Sequence, residues 1–267
     1  MPTRLVVFGA AGRLGRQIIA ATAGSSEVTV GAALVRPGSP VLGQDAGTLA
    51  GVAPLGVPLT SVIPSALARG DVVVDASAPA ASVEISRQAA AAAKPIVVAT
   101  TGLSPAQRAE VRACASQTAV LVAANLSLGV NLLADILPTI VQALGSDYDV
   151  EIVEAHHRHK KDAPSGTAIR LAEAIAEALD RPLAELARHG RSGLAPRQAG
   201  EIGFHSLRLG GITGEHHVRF ANEGEEIELV HRAFSRETFA RGALRAARFL
   251  ADQPPGWYTM RDVLFGA

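Results

Sequence analysis

The sequence predicts an α/β protein: a doubly wound parallel sheet forms its first part, and a smaller α+β domain with a mixed sheet forms its second. Two observations lead to this prediction. Short runs of Val, Ile and Leu alternate with longer alanine-rich stretches through the first half of the chain, which is typical of parallel strands covered by helices on both faces. In the second half, several strand-like runs follow a single helix, which indicates a separate sheet.

The first half supplies the parallel strands in order. Each apolar run has the length of a strand, and most are followed by a helix signal, such as the Ser-Pro pair at 104–105. The predicted strands are 5–8, 28–34, 72–75, 96–99 and 120–123, with helices beginning near residues 13, 79 and 105. Gly, Pro and Ser are frequent after residue 36, so we predict a long loop of weak structure over 37–63.

The second half begins with a long helix and then changes character. We expect a helix over 129–144, a strand over 149–155, a helix from Ser165, and alternating strands between 201 and 230. A last helix from Ser235 is expected to return to the first domain. The predicted domains are therefore residues 1–127 completed by 235–267, and residues 128–234.

The composition is that of an ordinary globular protein. Hydrophobic residues make up 48% of the 267, and 25 basic residues balance 25 acidic ones, so nothing favours nucleic acid or a membrane surface as a partner. The single cysteine, Cys114, excludes an intrachain disulfide and, with no export signal at the start, favours the cytoplasm. Asn131, Asp135 and Pro138 interrupt the apolar stretch 118–145, so we predict no membrane span there.

A glycine-rich turn follows the first predicted strand and opens the first helix. In this context Gly9 suits a tight turn, Gly12 lets the backbone approach a pyrophosphate, and Gly15 lets the helix pack closely on the strand. The pattern predicts a Rossmann-type dinucleotide-binding domain. The alternative, a turn that binds no ligand, is less favoured because strand, helix and position in the chain all agree.

The choice of cofactor depends on the end of the second strand. In NAD-binding domains an acidic residue about 20 residues beyond the turn holds the ribose hydroxyls. Here Val35 takes that place and Arg36 follows it. Since a guanidinium suits a 2′-phosphate, we predict NADPH as the cofactor, with NADH used less well. The alternative is a solvated Arg36 with no part in binding.

Histidine and lysine are concentrated after the strand predicted over 149–155. Residues 154–168 read EAHHRHKKDAPSGTA. Ser165 is the predicted N-cap of a helix, and the amides of Gly166 and Thr167 offer a carboxylate a site in keeping with the helix dipole. Cations beside such an anion site indicate a substrate that carries carboxylates.

The stretch 154–168 has other interpretations. A solvated basic loop stays open as an alternative. A site built from the three histidines is disfavoured, because no cysteine lies nearby and the neighbouring His156 and His157 point to opposite faces, so no metal is predicted. A nicotinamide mechanism that uses a Tyr followed four residues later by Lys is excluded, since neither Tyr148 nor Tyr258 has a lysine there.

Together these motifs resemble the dihydrodipicolinate reductase family. The residues His156-His157, Lys160 and Asp162 to Ala168 are similar to the family's signature. Further similar segments are 9–16, 123–125, 200–204, 214–216 and 235–236, so the resemblance spans nearly the whole chain.

The resemblance implies NADPH-dependent reduction of a small cyclic dicarboxylate, 4-hydroxy-tetrahydrodipicolinate, to tetrahydrodipicolinate, with loss of water, in lysine and diaminopimelate biosynthesis. It implies His156 as the acid/base and Lys160 as a proton donor. The chemistry agrees, because hydride addition to a conjugated C=N–C=C system leaves an enamine-like anion that needs a nearby proton donor and positive charge.

The resemblance also assigns binding residues and an assembly, a homotetramer formed through the sheet of the second domain. The predicted substrate-binding residues are His157, Lys160, Ser165, Gly166 and Thr167. The predicted cofactor-binding residues are Gly9, Ala10, Ala11, Gly12, Arg13, Leu14, Arg36, Ala99, Thr100, Thr101, Ala123, Ala124, Asn125 and Leu126.

The chain departs from the family pattern at two positions. Members that use NADH well commonly have an acidic residue where Val35 stands, and Ala99 stands where the family usually has Gly before Thr-Thr. Two other functions stay open from the sequence: an NADP-sensing regulatory protein without turnover, and a reductase of another imine or aldehyde on the same scaffold.

Overall fold

The computed structural model describes residues 1–266, which form two compact units. Unit 1 comprises Met1–Leu128 and the C-terminal segment from Glu237, and unit 2 comprises Gly129–Arg236. The predicted combination of a parallel α/β sheet and a second, mixed sheet is confirmed.

Unit 1 contains a seven-stranded sheet in which every pair of neighbouring strands is parallel. Its strands are β1 (Thr3–Phe8), β2 (Val28–Leu34), β3 (Leu59–Thr60), β4 (Val72–Asp75), β5 (Ile96–Val98), β6 (Ala119–Val122) and, from the C-terminal segment, β12 (Gly256–Tyr258). The order across the sheet is β12-β6-β5-β4-β1-β2-β3. The helices are α1 (Arg13–Thr22), α2 (Ala46–Ala50), α3 (Ile63–Leu67), α4 (Pro79–Ala91), α5 (Pro105–Ala113), α9 (Glu237–Ala251) and α10 (Met260–Phe265), with a 3₁₀ turn at Cys114–Ser116.

Helices cover both faces of this sheet, which is why its strands are continuous apolar runs. Alternate strand residues enter two separate cores: Val7 and Val74 pack with α1 and α9, whereas Val6 and Val73 pack with α3, α4 and α5. The last long helix, α9, packs in unit 1. The edge strand β12 was not predicted, because three residues give no period to recognise.

The segment 37–63 is more ordered than the sequence suggests, so the prediction of weak structure there is wrong. It contains α2 and β3 and is organised by Asp45, which caps α2 by accepting from the Thr48 amide at 3.0 Å. The same carboxylate accepts from the amides of Leu55 and Val57, each at 3.1 Å. One side chain thus closes the loop, which composition alone does not reveal.

Unit 2 contains a mixed five-stranded sheet covered by helices on one face. Its strands are β7 (Asp149–His156), β8 (Ala187–His189), β9 (Ile202–Arg208), β10 (Gly214–Ala221) and β11 (Glu226–Ala233), in the order β11-β10-β7-β9-β8. β10 is antiparallel to β7 and β11, while β9 is parallel to β7 and β8. The helices are α6 (Leu128–Leu144), α7 (Gly166–Ala178) and α8 (Leu183–Leu186), with a 3₁₀ turn at Gly145–Asp147.

The helix α6 is apolar as well as long. Residues Leu128–Asp147 have a mean hydropathy of 1.5 and by length and composition alone could cross a membrane. In the structure Leu137 and Val141 pack into the core of unit 2 with Ile152 of β7 and Leu171 of α7. The face of α6 that carries Leu137 and Val141 is therefore buried against the rest of unit 2.

Candidate functional site

The turn between β1 and α1 requires glycine at two positions. Gly9 has a φ of 79°, in the left-handed region, and a Cβ there would lie 2.4 Å from the backbone oxygen of Ala76. A Cβ at Gly15 would lie 2.3 Å from the oxygen of Gly9. Neither position has room for a side chain, so Gly9 makes the tight turn and Gly15 lets α1 pack against it, as the sequence predicts.

The start of α1 suits an anion. Gly12 is its N-cap and has no side chain with which to satisfy the first amides, and the first turn contains no acidic residue. Arg16 donates from Nε to the oxygen of Ala11 at 2.9 Å, which adds positive charge beside the turn. Because the amides at a helix N-terminus attract anions, the residues present fit the pyrophosphate of a dinucleotide.

The end of β2 lies against this turn. The amides of Gly9 and Ala10 both donate to the oxygen of Leu34, at 3.1 and 3.0 Å. The next residue, Val35, is buried, and Arg36 after it is exposed. Position 36 therefore follows a strand end that contacts the turn, and position 35 carries no carboxylate that would repel a phosphate.

The other predicted cofactor residues lie at the same edge of the sheet. Parallel neighbours end on one side, and the amides of Ala99 and Ala123 donate to the oxygens of Asp75 and Val98, at 2.8 and 3.0 Å. The carboxyl ends of β1, β2, β4, β5 and β6 thus bring together the glycine turn, Arg36, residues 99–101 and residues 123–126. In open α/β sheets ligands bind at this edge.

Asp75 is a feature of this edge that the sequence analysis did not identify as functional. Its carboxylate is fully buried at the end of β4. It accepts from the amide and hydroxyl of Ser77 at 3.1 and 2.5 Å, from Thr100 Oγ1 at 2.9 Å, and from the hydroxyl of Ser82. Burial raises the pKa of Asp75, against these hydrogen bonds, which lower it. Asp75 thereby joins the loops after β4 and β5. The sequence feature that could have identified this residue is an acidic side chain at the end of an apolar strand.

In unit 2, a carboxylate and an imidazole share one face of β7. Glu154 and His156 are two residues apart and therefore point the same way. Glu154 is 1% exposed, and its Oε2 lies 2.6 Å from His156 Nδ1. Arg208, next to His156 on β9, donates from its two terminal nitrogens to both Glu154 oxygens, at 2.9 and 2.7 Å. The amide of Ser165 donates to Oε1 at 3.1 Å.

The charges and hydrogen bonds around Glu154 and His156 determine which of their atoms carry protons. Burial opposes ionisation of Glu154, but the hydrogen bonds from Arg208 and His156 outweigh it and lower its pKa to about 2. An ionised carboxylate only accepts, so the proton shared with His156 belongs to Nδ1. Burial lowers the pKa of His156, in spite of the hydrogen bond to Glu154 that raises it. The imidazole therefore presents Nε2 as its exchangeable nitrogen.

Gly214 and His216 of β10 lie beside the His156 ring. A Cβ at Gly214, in β10, would lie 3.1 Å from His156 Nε2, so glycine leaves space there. His216, two residues further along β10, is 3% exposed and meets the His156 ring edge-on, with centroids 5.2 Å apart. Burial lowers the pKa of His216 to about 3. His216 was not predicted as a site residue, although it lies in one of the segments that resemble the family.

Lys160 is held close to this group. Its ammonium donates to both oxygens of Asp162, at 3.0 and 2.8 Å, and its amide donates to the oxygen of His157 at 3.0 Å. The side chain of Lys160 is 19% exposed, and its charge is near enough to His156 to help lower the pKa of that imidazole. The structure thus brings together the two residues predicted to be catalytic.

The start of α7 supplies the predicted anion site. Ser165 is the N-cap, as predicted, and its hydroxyl accepts from the amide of Ala168 at 3.1 Å. The same oxygen lies 3.0 Å from Nε2 of His216, and Ser165 is buried. The hydroxyl of Ser165 therefore holds the local structure. Gly166 and Thr167 occupy the first two positions of the helix, where backbone amides favour an anion.

His157 follows the last residue of β7. It is half-buried, and its Nδ1 is buried without a hydrogen-bond partner among residues 1–266. Its ring lies 6.2 Å from that of the exposed His159. An unsatisfied buried nitrogen is costly, so a polar group of a ligand would stabilise it.

A dinucleotide-binding parallel sheet together with a histidine–lysine group at a separate anion site defines a nicotinamide-dependent oxidoreductase. Residues 3–126 match the family model of the dihydrodipicolinate reductase N-terminus, and residues 129–264 match that of its C-terminus. The chain therefore belongs to the dihydrodipicolinate reductase family, as the sequence resemblance predicts, and is an NAD(P)H-dependent oxidoreductase.

Individual proteins agree with this assignment. The chain is 48% identical to the 4-hydroxy-tetrahydrodipicolinate reductase of Halorhodospira halophila, over 97% of both chains. It is 48% identical to that of Anaeromyxobacter dehalogenans, over 98% of this chain and 97% of the relative. A solved dipicolinate-bound dihydrodipicolinate reductase from Paenisporosarcina sp. TG-14 has a TM-score of 0.77 at 23% identity, covering 97% of this chain and 98% of the other, and supports the fold.

Proposed function

We propose that this chain reduces 4-hydroxy-tetrahydrodipicolinate to tetrahydrodipicolinate in lysine and diaminopimelate biosynthesis. The observation that carries the proposal is identity of 48% over 97% of the chain with a relative named for this reaction. In the balanced reaction the substrate loses one water and gains a hydride and a proton. NADPH supplies the hydride when bound, and the residues of unit 2 manage the proton and the charge.

His156 transfers the proton at Nε2, since its Nδ1 is committed to Glu154. Lys160, which Asp162 holds in place, supplies positive charge for the anion that hydride addition creates and acts as a second proton donor. The amides of Gly166 and Thr167 bind one substrate carboxylate, and the buried Nδ1 of His157 gains a partner from the substrate.

NADPH is the preferred cofactor in this proposal. Gly9 to Leu14 bind the pyrophosphate, while residues 99–101 and 123–126 line the rest of the edge. Arg36 binds the 2′-phosphate. Replacing it with Ala should weaken NADPH by about tenfold or more and leave NADH nearly unchanged, because a charge-assisted hydrogen bond is worth about 1.5–3 kcal/mol. Equal losses for both cofactors, measured by fluorescence titration, would show that Arg36 does not contact the phosphate.

The decisive experiment follows NADPH absorbance after mixing the purified protein with the freshly made condensation product of pyruvate and aspartate semialdehyde. Absorbance should fall only when the product is present. His156→Ala and Lys160→Ala should each lower turnover by about 10²-fold or more with NADPH binding retained. The neighbouring exposed residues provide matched controls, His159→Ala and Lys161→Ala, which should keep turnover. Undiminished NADPH in the presence of fresh substrate would refute the proposed reaction.

The assembly and location belong to the same proposal. One face of the unit 2 sheet carries the helices, and the other, which includes the half-buried Val153, His205 and His217, has no helix over it among residues 1–266. We assign this face to a homotetramer, which light scattering would test: a monomer that stays active would refute it. The single buried thiol, Cys114, fits a cytoplasmic location.

A further inference from the structure

We propose that Glu154 and Arg208 form a positioning pair that fixes which nitrogen of His156 carries the exchangeable proton and keeps that proton easy to release. The inference rests on the proposed function, in which His156 transfers a proton to or from the substrate. Neither residue of the pair is a proton donor in this account. They act through the imidazole.

Every hydrogen-bonding direction around the Glu154 carboxylate is used. Oε2 receives His156 Nδ1 at 2.6 Å and Arg208 Nη1 at 2.9 Å. Oε1 receives Arg208 Nη2 at 2.7 Å and the amide of Ser165 at 3.1 Å. These partners are all donors, the Ser206 side chain forms a further hydrogen bond to the carboxylate, and Glu154 is 1% exposed, so water does not compete for it. The imidazole is held by a carboxylate that is itself held from β9 and α7.

This arrangement selects one tautomer of His156. A carboxylate whose pKa is lowered to about 2 is ionised near neutral pH and can only accept, so Nδ1 keeps its hydrogen across the physiological range. Nε2 is left as the nitrogen that gains and loses a proton, on the side where Gly214 leaves room. In the other tautomer, the bare Nδ1 would face the carboxylate and repel it.

Arg208 supplies the second part of the effect. A carboxylate alone beside an imidazole favours the charged ring and would hold the proton too tightly for transfer near neutrality. Arg208 offsets that charge. The titratable groups that face the ring are Glu154 on β7, Arg208 on β9, His216 on β10 and Lys160 in the following loop, and the charges of Lys160 and Arg208 both lower the pKa of His156. The pKa of His156 accordingly lies below its usual value, with burial as the main cause.

Arg208 also connects the two catalytic side chains. Its Nη2 donates to the backbone oxygen of Asp162 at 2.7 Å, and the carboxylate of Asp162 holds Lys160. One guanidinium therefore positions His156 through Glu154 and Lys160 through its loop. A lysine at 208 keeps the charge but cannot bridge three oxygens in one plane.

A purely structural ion pair between neighbouring strands would also explain the contacts. The test must therefore measure the protonation of the His156 imidazole directly. Nitrogen NMR of the unmodified protein, with His156 assigned from the missing signal in His156→Gln, should show a protonated Nδ1 and a bare Nε2 in the neutral ring. The opposite tautomer would overturn the proposal without any variant of the pair.

Kinetics supply the second test. Glu154→Gln should lower kcat by about 10²-fold or more while KM changes little, and Glu154→Asp, which restores a carboxylate, should recover part of the loss. Arg208→Met should move the His156 titration to higher pH, and Arg208→Lys, which keeps the charge, should move it less. Asp71→Asn serves as the control, because Asp71 forms a similar two-point pair with Arg4 at the amino edge of the first sheet. It should leave kcat and the titration unchanged.

The outcomes separate this inference from the function on which it rests. If the unmodified protein fails to oxidise NADPH with fresh substrate, the proposed function fails. If it turns over normally, and Glu154→Gln keeps its kcat or Arg208→Met keeps the His156 titration, the positioning role fails while the function stands.

Discussion

His216 should make the stability of unit 2 depend on acidity. The side chain is 3% exposed on β10, and its Nε2 lies 3.0 Å from the hydroxyl of Ser165. Burial, with a further contribution from the charge of His156, lowers its pKa from 6.5 to about 3. The folded protein therefore keeps this ring neutral under conditions in which the unfolded chain protonates it.

The size of the effect follows from the shift. Between pH 6.5 and pH 3 the unfolded state binds one more proton at this position than the folded state, so the free energy of unfolding decreases as the pH falls. The slope is about 1.4 kcal/mol per pH unit, and the loss between pH 7 and pH 5 is about 2 kcal/mol. The contribution of His216 to the free energy of unfolding is fully present above pH 6.5 and is lost progressively below it.

Urea unfolding of the unmodified protein and of His216→Gln at pH 7, 6 and 5 measures this contribution. The variant should be less stable at pH 7 by about 1–3 kcal/mol, because the Ser165 hydroxyl loses its partner. The difference should shrink by about 2 kcal/mol at pH 5, since glutamine cannot be protonated. The series stops at pH 5 because the lowered pKa of Glu154, about 2, makes its own stabilisation decline below pH 4.5.

His159→Gln is the matched control, because His159 is exposed in the same unit. Its unfolding free energy should follow that of the unmodified protein at every pH. A difference between the unmodified protein and His216→Gln that stays constant from pH 7 to pH 5, or a His216 ring resonance that titrates near 6.5, would refute the reasoning.

Three further predictions concern the backbone and the buried polar groups. Gly15→Ala should destabilise unit 1 by about 1–3 kcal/mol and weaken NADPH binding, because its Cβ would meet the Gly9 oxygen at 2.3 Å; thermal unfolding and cofactor titration test this. Asp75→Asn should cost about 1–3 kcal/mol and raise the Kd for NADPH more than it lowers kcat, since an amide presents donors to the hydroxyls of Ser77 and Thr100. Ser165→Ala should cost about 1–2 kcal/mol through loss of the α7 cap, measured by urea unfolding; an unchanged midpoint would contradict that role.

The parallel sheet was predictable because each strand is a separate, fully buried apolar run. Val72–Asp75 illustrates this, since the strand is buried along its whole length and its residues divide between two cores. The segment 37–63 was not predictable in the same way. Its order depends on the carboxylate of Asp45 reaching amides 10 and 12 residues further along the chain, and no local pattern encodes such contacts.

The candidate site likewise has parts that the sequence predicts and parts that it does not. Local motifs revealed the glycine turn and the cap at Ser165, because the chemistry of each lies within a few consecutive residues. Glu154, Arg208 and His216 meet only after β7, β9 and β10 are paired, and 54 residues separate Glu154 from Arg208. The sequence offered their types and positions but not their contacts. Predicting them requires the register of the unit 2 sheet.

Each unit has a buried carboxylate that holds loops in place, but the pKa values of the two carboxyl groups shift in opposite directions. In each, a buried carboxylate near the end of a strand holds the loops of a binding edge: Asp75 in unit 1 and Glu154 in unit 2. Neutral hydroxyls and an amide surround Asp75, so burial prevails and its pKa is raised. A guanidinium faces Glu154, so its pKa falls to about 2 and its charge is permanent. Only the second arrangement can fix the proton of an adjacent imidazole, which is why we place the acid–base chemistry in unit 2 and assign Asp75 to holding the cofactor loops.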